Sequence, residues 1–134
     1  ENRENSSEIV VWGDGTPLRE YTYSKDIANA YMWALDNYDD AQCLNIGTIE
    51  ENSIGEIALM IAEILGIDRK RIIFDTTKPK GVFRKSTDNS RFLALSGFKY
   101  TLFREALEKT IEWFIHAYEN HPETIRLYSK SKQR

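Results

Sequence analysis

Two hydrophobic periodicities alternate along this chain, and that alternation limits the folds open to it more than any other feature. Short apolar or alternating runs of extended type are separated by stretches whose apolar residues recur every three or four positions, the spacing of one helix face. Residues 8–12 (EIVVW) read as a strand, closed by the turn Gly13-Asp14-Gly15-Thr16-Pro17. Residues 19–23 (REYTY) read as a second extended piece. Ser24 is a good N-cap for a helix whose stripe is Ile27, Ala30, Tyr31, Ala34, Leu35 and Tyr38. Residues 42–47 (QCLNIG) read as a third strand. Ser53-Ile54-Gly55-Glu56 spells a capping box, in which the Ser hydroxyl and the Glu carboxylate each take one otherwise unpaired amide. The helix it opens buries Ile57, Met60, Ile61, Ile64 and Leu65 and ends at Gly66. Residues 71–74 (RIIF) read as a fourth strand. Asp88 can cap a short helix stopped near Gly97, and Thr101 opens a long one striped with Phe103, Ala106, Leu107, Thr110, Ile111, Phe114, Ala117 and Tyr118. The chain is therefore α/β, with too few strands for a doubly wound sheet. The expected fold is a small mixed sheet with covering helices.

With 134 residues, one domain is expected: residues 8–121, flanked by a disordered remnant at 1–7 and a polar tail at 122–134. The chain does not begin with Met, which fits either a piece of a longer protein or processing. No apolar run approaches the roughly 20 residues of a membrane span, so no membrane partner is expected. A net charge of −3 weighs against general nucleic-acid binding. A single cysteine, Cys43, excludes an internal disulfide and suits a reducing, cytoplasmic setting. Cys43 sits in an apolar run and reads as a packing residue rather than a nucleophile.

No complete catalytic machinery is present. Gly13-Asp14-Gly15 begins like a dinucleotide fingerprint, but Pro17 and Leu18 break it and no helix follows. Tyr21 and Lys25, and Tyr128 and Lys132, have the Tyr-x-x-x-Lys spacing of short-chain dehydrogenases. The first pair straddles a strand end and the second lies in the tail, so neither shares a helix face. His116 and His121 are five apart, not the three or four that makes helical neighbours. No Cys, His and carboxylate cluster suggests a metal.

Three features point to ligand binding instead. Trp12 ends an apolar strand before a glycine turn, where its ring either lines a cleft or joins the core. Arg19 can meet a phosphate or sugar oxygen bidentately, or pair with Glu20 or another acid. Residues 74–85 (FDTTKPKGVFRK) gather Lys78, Lys80, Arg84 and Lys85 in an otherwise acidic chain. Pro79 and Gly81 make that stretch a constrained loop rather than regular structure. A small anionic, partly aromatic ligand such as a nucleoside diphosphate fits these groups.

The motifs VVWGDGTPLREY, SKDIANA, LNIGT, SIGEIALMIAEILG, FDTTKPKGVFRK and NSRFLALSGFKYT, taken in that order, resemble the GDP-L-fucose synthase family. The resemblance runs from about residue 9 to about residue 118 and is similar to the family's C-terminal, substrate-binding part. LNIGT and the capped helix after it are common to the extended short-chain dehydrogenases; the first and fifth motifs together are more specific. The resemblance implies an enzyme that epimerises C3 and C5 of GDP-4-keto-6-deoxy-D-mannose and then reduces C4 with NADPH. It implies that NADP(H) and the catalytic residues belong to an N-terminal Rossmann half absent here. This chain would then carry no catalytic residue, bind no cofactor and turn over no substrate alone. Its partners would be the GDP-sugar and that half, in a homodimeric whole. Tyr31, Trp33 and Trp113 are candidates for the apolar surface left uncovered. By resemblance the substrate-binding residues are Trp12, Arg19, Lys80 and Lys85. Lys80 stands where the family often has an Asp that contacts substrate. A Lys only donates hydrogen bonds where an Asp accepts them, so the resemblance leaves open what Lys80 touches and how strictly guanosine is preferred.

Overall fold

The computed structural model describes residues 8–125. Residues 1–7, and with them the expected disordered remnant, lie outside the described part, as does the tail from residue 126, including Tyr128 and Lys132. The described chain folds as two small sheets and four helices. Strands β1 (Ile9–Trp12) and β4 (Ile72–Asp75) pair in parallel, with Trp12 opposite Asp75. Between them in sequence, β2 (Leu18–Glu20) pairs antiparallel with β3 (Glu51–Ser53) and parallel with β5 (Arg84–Lys85). The helices are α1 (Ser24–Asn37), α2 (Ile54–Ile64), α3 (Ser90–Ser96) and α4 (Phe103–Asn120). A mixed α/β arrangement of small sheets and covering helices is what the alternating periodicities predict.

The start of α2 follows its sequence closely. The Glu56 amide donates to Ser53 Oγ (3.1 Å) and the Ser53 amide donates to the Glu56 carboxylate (2.7 Å). At the other end Gly66 adopts φ +65°, and the amides of Gly66 and Ile67 return to the carbonyls of Glu63 and Ala62.

The other helices depart from expectation at their starts. The cap position of α1 is Tyr23, not Ser24, and no side chain caps it. The inward face of α1 is also rotated. Asp26 and Ala30 are buried, and Trp33 packs edge-on to Phe92 at 5.4 Å, while Tyr31 and Leu35 face outward at 59% and 78% exposure. The cause is Asp26: its buried carboxylate accepts from the Thr101 amide (2.7 Å) and hydroxyl (3.1 Å). A buried carboxylate must keep such partners, so the helix turns to reach them. Thr101 therefore does not cap α4. Leu102 holds the cap position, and the Phe103 amide donates to the Glu50 carboxylate at 2.9 Å, so a distant acid satisfies this helix start. Asp88 bonds the Ser90 amide (3.0 Å), one residue before Asn89 at the cap position of α3.

The expected strand at 42–47 does not form. The segment has no ladder partner among the described residues and is held by side chains instead. The Gly47 amide donates to the Tyr100 hydroxyl (3.2 Å), the Thr48 amide to the Thr22 hydroxyl (2.9 Å), and Asn45 Nδ2 to the Asp88 carbonyl (3.0 Å). The buried Asn89 amide group donates to the Gly47 carbonyl. Cys43 is exposed there, contrary to the packing role expected of it. The core is small: Ala30, Ala62, Phe92, Phe103, Ala106 and Ala117, with Phe92 surrounded by Trp33, Phe98 and Tyr100. The expected tail from 122 opens with a 3-10 turn, Pro122–Thr124.

Candidate functional site

The basic loop is more ordered than its Pro and Gly suggest. Its end forms β5, whose parallel pairing with β2 places Lys85 opposite Arg19 and Arg84 opposite Leu18. The ladder is extended by the Leu18 amide donating to the Phe83 carbonyl at 2.8 Å. On the other edge of β2, Arg19 is opposite Asn52 of β3. Because residues in register share a face of a sheet and successive residues alternate, Asn52, Arg19 and Lys85 form one row of hydrogen-bond donors. Gly81 of the loop lies over this row: a Cβ there would stand 3.6 Å from an Arg19 guanidinium nitrogen.

The other cations of the loop are already engaged. Arg84 faces the opposite side of the sheet and forks onto Glu51 through Nε and Nη2, the shortest contact being 2.6 Å. The Arg84 guanidinium holds the Glu51 carboxyl below its usual range. Lys80 Nζ pairs with Asp14 at 2.9 Å, and Lys78 lies over the Trp12 ring, 6.0 Å from its centroid. Arg19 and Lys85 make no ion pair among the described residues, and Glu20, a candidate partner for Arg19, is spent on the Thr87 amide at 2.7 Å. Arg19 donates one bond, to the neighbouring Leu18 carbonyl. Of these loop and strand cations, Arg19 and Lys85 have neither an acid nor a ring beside them, and they share a register position.

Trp12 is neither core nor wholly free. Its ring is 66% exposed and meets Lys78 on one side. Trp12 and the basic loop are joined through β4: the Gly13 and Lys78 amides both donate to the Asp75 carbonyl, at 2.9 and 3.2 Å. A separate cleft of about 400 Å³ opens on the opposite face of the sheet, lined by Glu20, Glu51, Arg84, Thr87 and Leu93 among others. Its one cation, Arg84, is answered by Glu51, so it is not built for an anion.

The Gly13–Gly15 turn does not suit a dinucleotide. An added Cβ on Gly13 would stand 2.8 Å from Lys80 Cβ, and one on Gly15 would stand 2.5 Å from the Phe74 ring. The open sides of both glycines are filled by protein, and β2 rather than a helix follows. A pyrophosphate has neither room nor a helix N-terminus there. Among the described residues, no group of His, Cys, Asp and Glu could hold a metal.

Of the four residues expected from the resemblance, the structure brings Arg19 and Lys85 side by side, sets Lys80 against Asp14, and leaves Trp12 at the edge of the same loop. Sequence reasoning missed Asn52, because no strand was read at 51–53. It read Asp14 only as a turn residue, since its partner Lys80 is 66 positions away. Trp33, expected on the uncovered surface, packs on Phe92 instead; Tyr31 and Trp113 are exposed as expected, at 59% and 61%.

The chain is similar to known proteins over most of its length. Residues 1–47 match the model of the NAD dependent epimerase/dehydratase family. A putative GDP-L-fucose synthase 2 of Arabidopsis thaliana is 36% identical over 111 residues, covering 83% of this chain and 34% of that protein. A crystal structure of a GDP-L-fucose synthetase from Naegleria fowleri superposes with a TM-score of 0.79 at 35% identity, over 84% of this chain and 35% of that one. The same enzyme has been solved bound to NADP. UDP-glucose 4-epimerase of Thermotoga maritima, solved with UDP-glucose, superposes with a TM-score of 0.72 at 27% identity, over 82% of this chain and 35% of that one. The chain spans about a third of the length of the relatives it matches. By shared sequence and shared backbone the chain is similar to about one third of a GDP-L-fucose synthase, and its residues 1–47 match the NAD dependent epimerase/dehydratase family.

Proposed function

We propose that this chain is the C-terminal, substrate-binding part of a GDP-L-fucose synthase and that Arg19 and Lys85 hold the diphosphate of its GDP-sugar. The observation that supports this is their adjacency in the β2–β5 register, with the other loop cations committed to Asp14, Glu51 and the Trp12 ring. A guanidinium offers a planar fork to two phosphate oxygens and an ammonium adds a point charge, while Asn52 supplies a further donor beside them. Trp12 closes one side of the site. Residues 8–121 are the binding domain in this reading.

The whole enzyme's reaction is the epimerisation at C3 and C5 followed by NADPH-dependent reduction at C4. NADP(H), when bound to the enzyme, supplies the hydride for the second step. The Gly13–Gly15 turn has no room for its pyrophosphate, and in this reading the cofactor and the catalytic groups belong to a Rossmann half. What this chain does is bind and orient: it fixes the nucleotide so that the sugar projects toward that half. Alone it turns over no substrate. The assembled enzyme is a cytoplasmic homodimer in this reading.

The test is calorimetric titration with GDP. Arg19→Ala and Lys85→Ala should each raise Kd about tenfold, the loss of one charged hydrogen bond. If neither substitution moves Kd, the site is elsewhere. A second reading, a superfamily member using another nucleotide sugar, is favoured by one observation: Lys80, at the position where the family often has Asp, is tied to Asp14 rather than presented to a ligand.

A further inference from the structure

Asp14 joins the glycine turn to the basic loop. One carboxylate oxygen accepts from the Thr16 amide (3.0 Å) and hydroxyl (2.7 Å), closing the turn on itself. The other accepts from Lys80 Nζ at 2.9 Å, across 66 residues of sequence. Behind this pair, the Gly13 backbone lies so near Lys80 that no side chain fits at position 13. The turn and the loop are therefore in contact through backbone and through charge at once. The loop's other fixings are on the same strand pair: the Lys78 amide on the Asp75 carbonyl, and Lys78 over Trp12. Asp75 builds a matching turn, accepting from the Thr77 amide and hydroxyl. Two short Asp-x-Thr turns thus stand at the ends of parallel strands, and Lys80 ties the basic loop to the first of them. Lys80 hydrogen-bonding holds the Asp14 carboxyl well below the usual carboxylate range.

We propose that Asp14 is a positioning residue of the nucleotide-sugar site: by binding Lys80 it pins residues 78–83 so that Gly81 stays over Arg19, leaving Arg19 and Lys85 as the cations available to the diphosphate. This rests on the function proposed above and extends it. It assigns Lys80 a role different from that of an Asp at the same position: Lys80 holds the loop and does not touch the ligand. Specificity then follows from loop position. Asp14 would otherwise be an unpaired negative charge near an anion site, and Lys80 would be a mobile cation competing with Arg19 for phosphate.

The experiment uses the full chain with two readouts, amide hydrogen exchange of residues 76–83 and the calorimetric Kd for GDP. Asp14→Asn should speed exchange across 76–83 and raise Kd about two- to fivefold, the range of an exposed charge pair. Lys80→Met removes the same pair but leaves the Asp14–Thr16 turn in place, so it should move both readouts in the same direction. Unchanged exchange in Asp14→Asn, or faster exchange with unchanged Kd, or Lys80→Met leaving either readout unchanged, overturns the proposal. Arg19→Ala separates the two levels. If Arg19→Ala weakens GDP binding and Asp14→Asn does not, the positioning role falls and the binding site stands. If neither does, or GDP does not bind the unaltered chain, the site itself is misassigned and the positioning role falls with it.

Discussion

Each cation of the basic loop has its own fate, and its partner decides it. Arg84 is bound by Glu51 on one face of the sheet, while Lys85, one residue on, faces the other way beside Arg19. Strand alternation therefore divides adjacent charges between a cleft where Arg84 is neutralised and the face proposed to hold the diphosphate. This predicts a contrast between neighbours. Arg84→Ala should leave the Kd for GDP within about twofold, whereas Lys85→Ala raises it about tenfold. Equal effects of the two substitutions in the same titration would mean that net charge, not placement, governs binding. The sequence showed the excess of cations but not this division. Reading it required β5, a two-residue strand too short to leave a pattern, and pairings such as Lys80 with Asp14 that are remote along the chain.

At the level of elements, legibility followed how local the determinants were. The helix α2 was readable at both ends because Ser53, Glu56 and Gly66 act within their own turns. The starts of α1 and α4 were not, because Asp26 and Glu50 reach across the fold to satisfy Thr101 and Phe103. The segment 42–47 has the composition of a strand but no neighbouring strand among the described residues, so side chains hold it. Two stability predictions follow from these contacts. Ser53→Ala should cost about 1 kcal/mol in urea unfolding, as for an ordinary cap. Asp26→Ala strands the Thr101 amide in a half-buried place and should cost about 1–3 kcal/mol. A cost for Asp26→Ala no larger than for an exposed-site control would show that its two bonds do not organise α4.

The whole molecule carries two consequences of its small core. Among the described residues, seven carboxyls, those of Asp14, Asp40, Glu51, Glu56, Glu63, Asp75 and Asp88, lie below their ordinary range, the largest cause in each being a hydrogen bond the carboxylate accepts. Groups whose folded pKa is depressed add stability that is present above the unfolded value and lost as pH falls through the folded one. The urea midpoint should therefore drop steadily as pH is lowered below about 5; a midpoint flat down to about pH 3 would contradict these native pairings. The second consequence is surface. Leu35 and Trp113 are 78% and 61% exposed, in a chain spanning about a third of its relatives' length. We expect Leu35→Lys and Trp113→Lys to reduce self-association in light scattering without lowering Tm.

The Asn52–Arg19–Lys85 row is proposed to hold the diphosphate of a guanosine nucleotide. Calorimetric titration of the chain with GDP, UDP and dTDP under one salt condition tests it most directly. The predicted result is saturable binding of all three through the shared diphosphate, with GDP tightest. Tightest binding of UDP or dTDP, or no saturable binding of any, would contradict it.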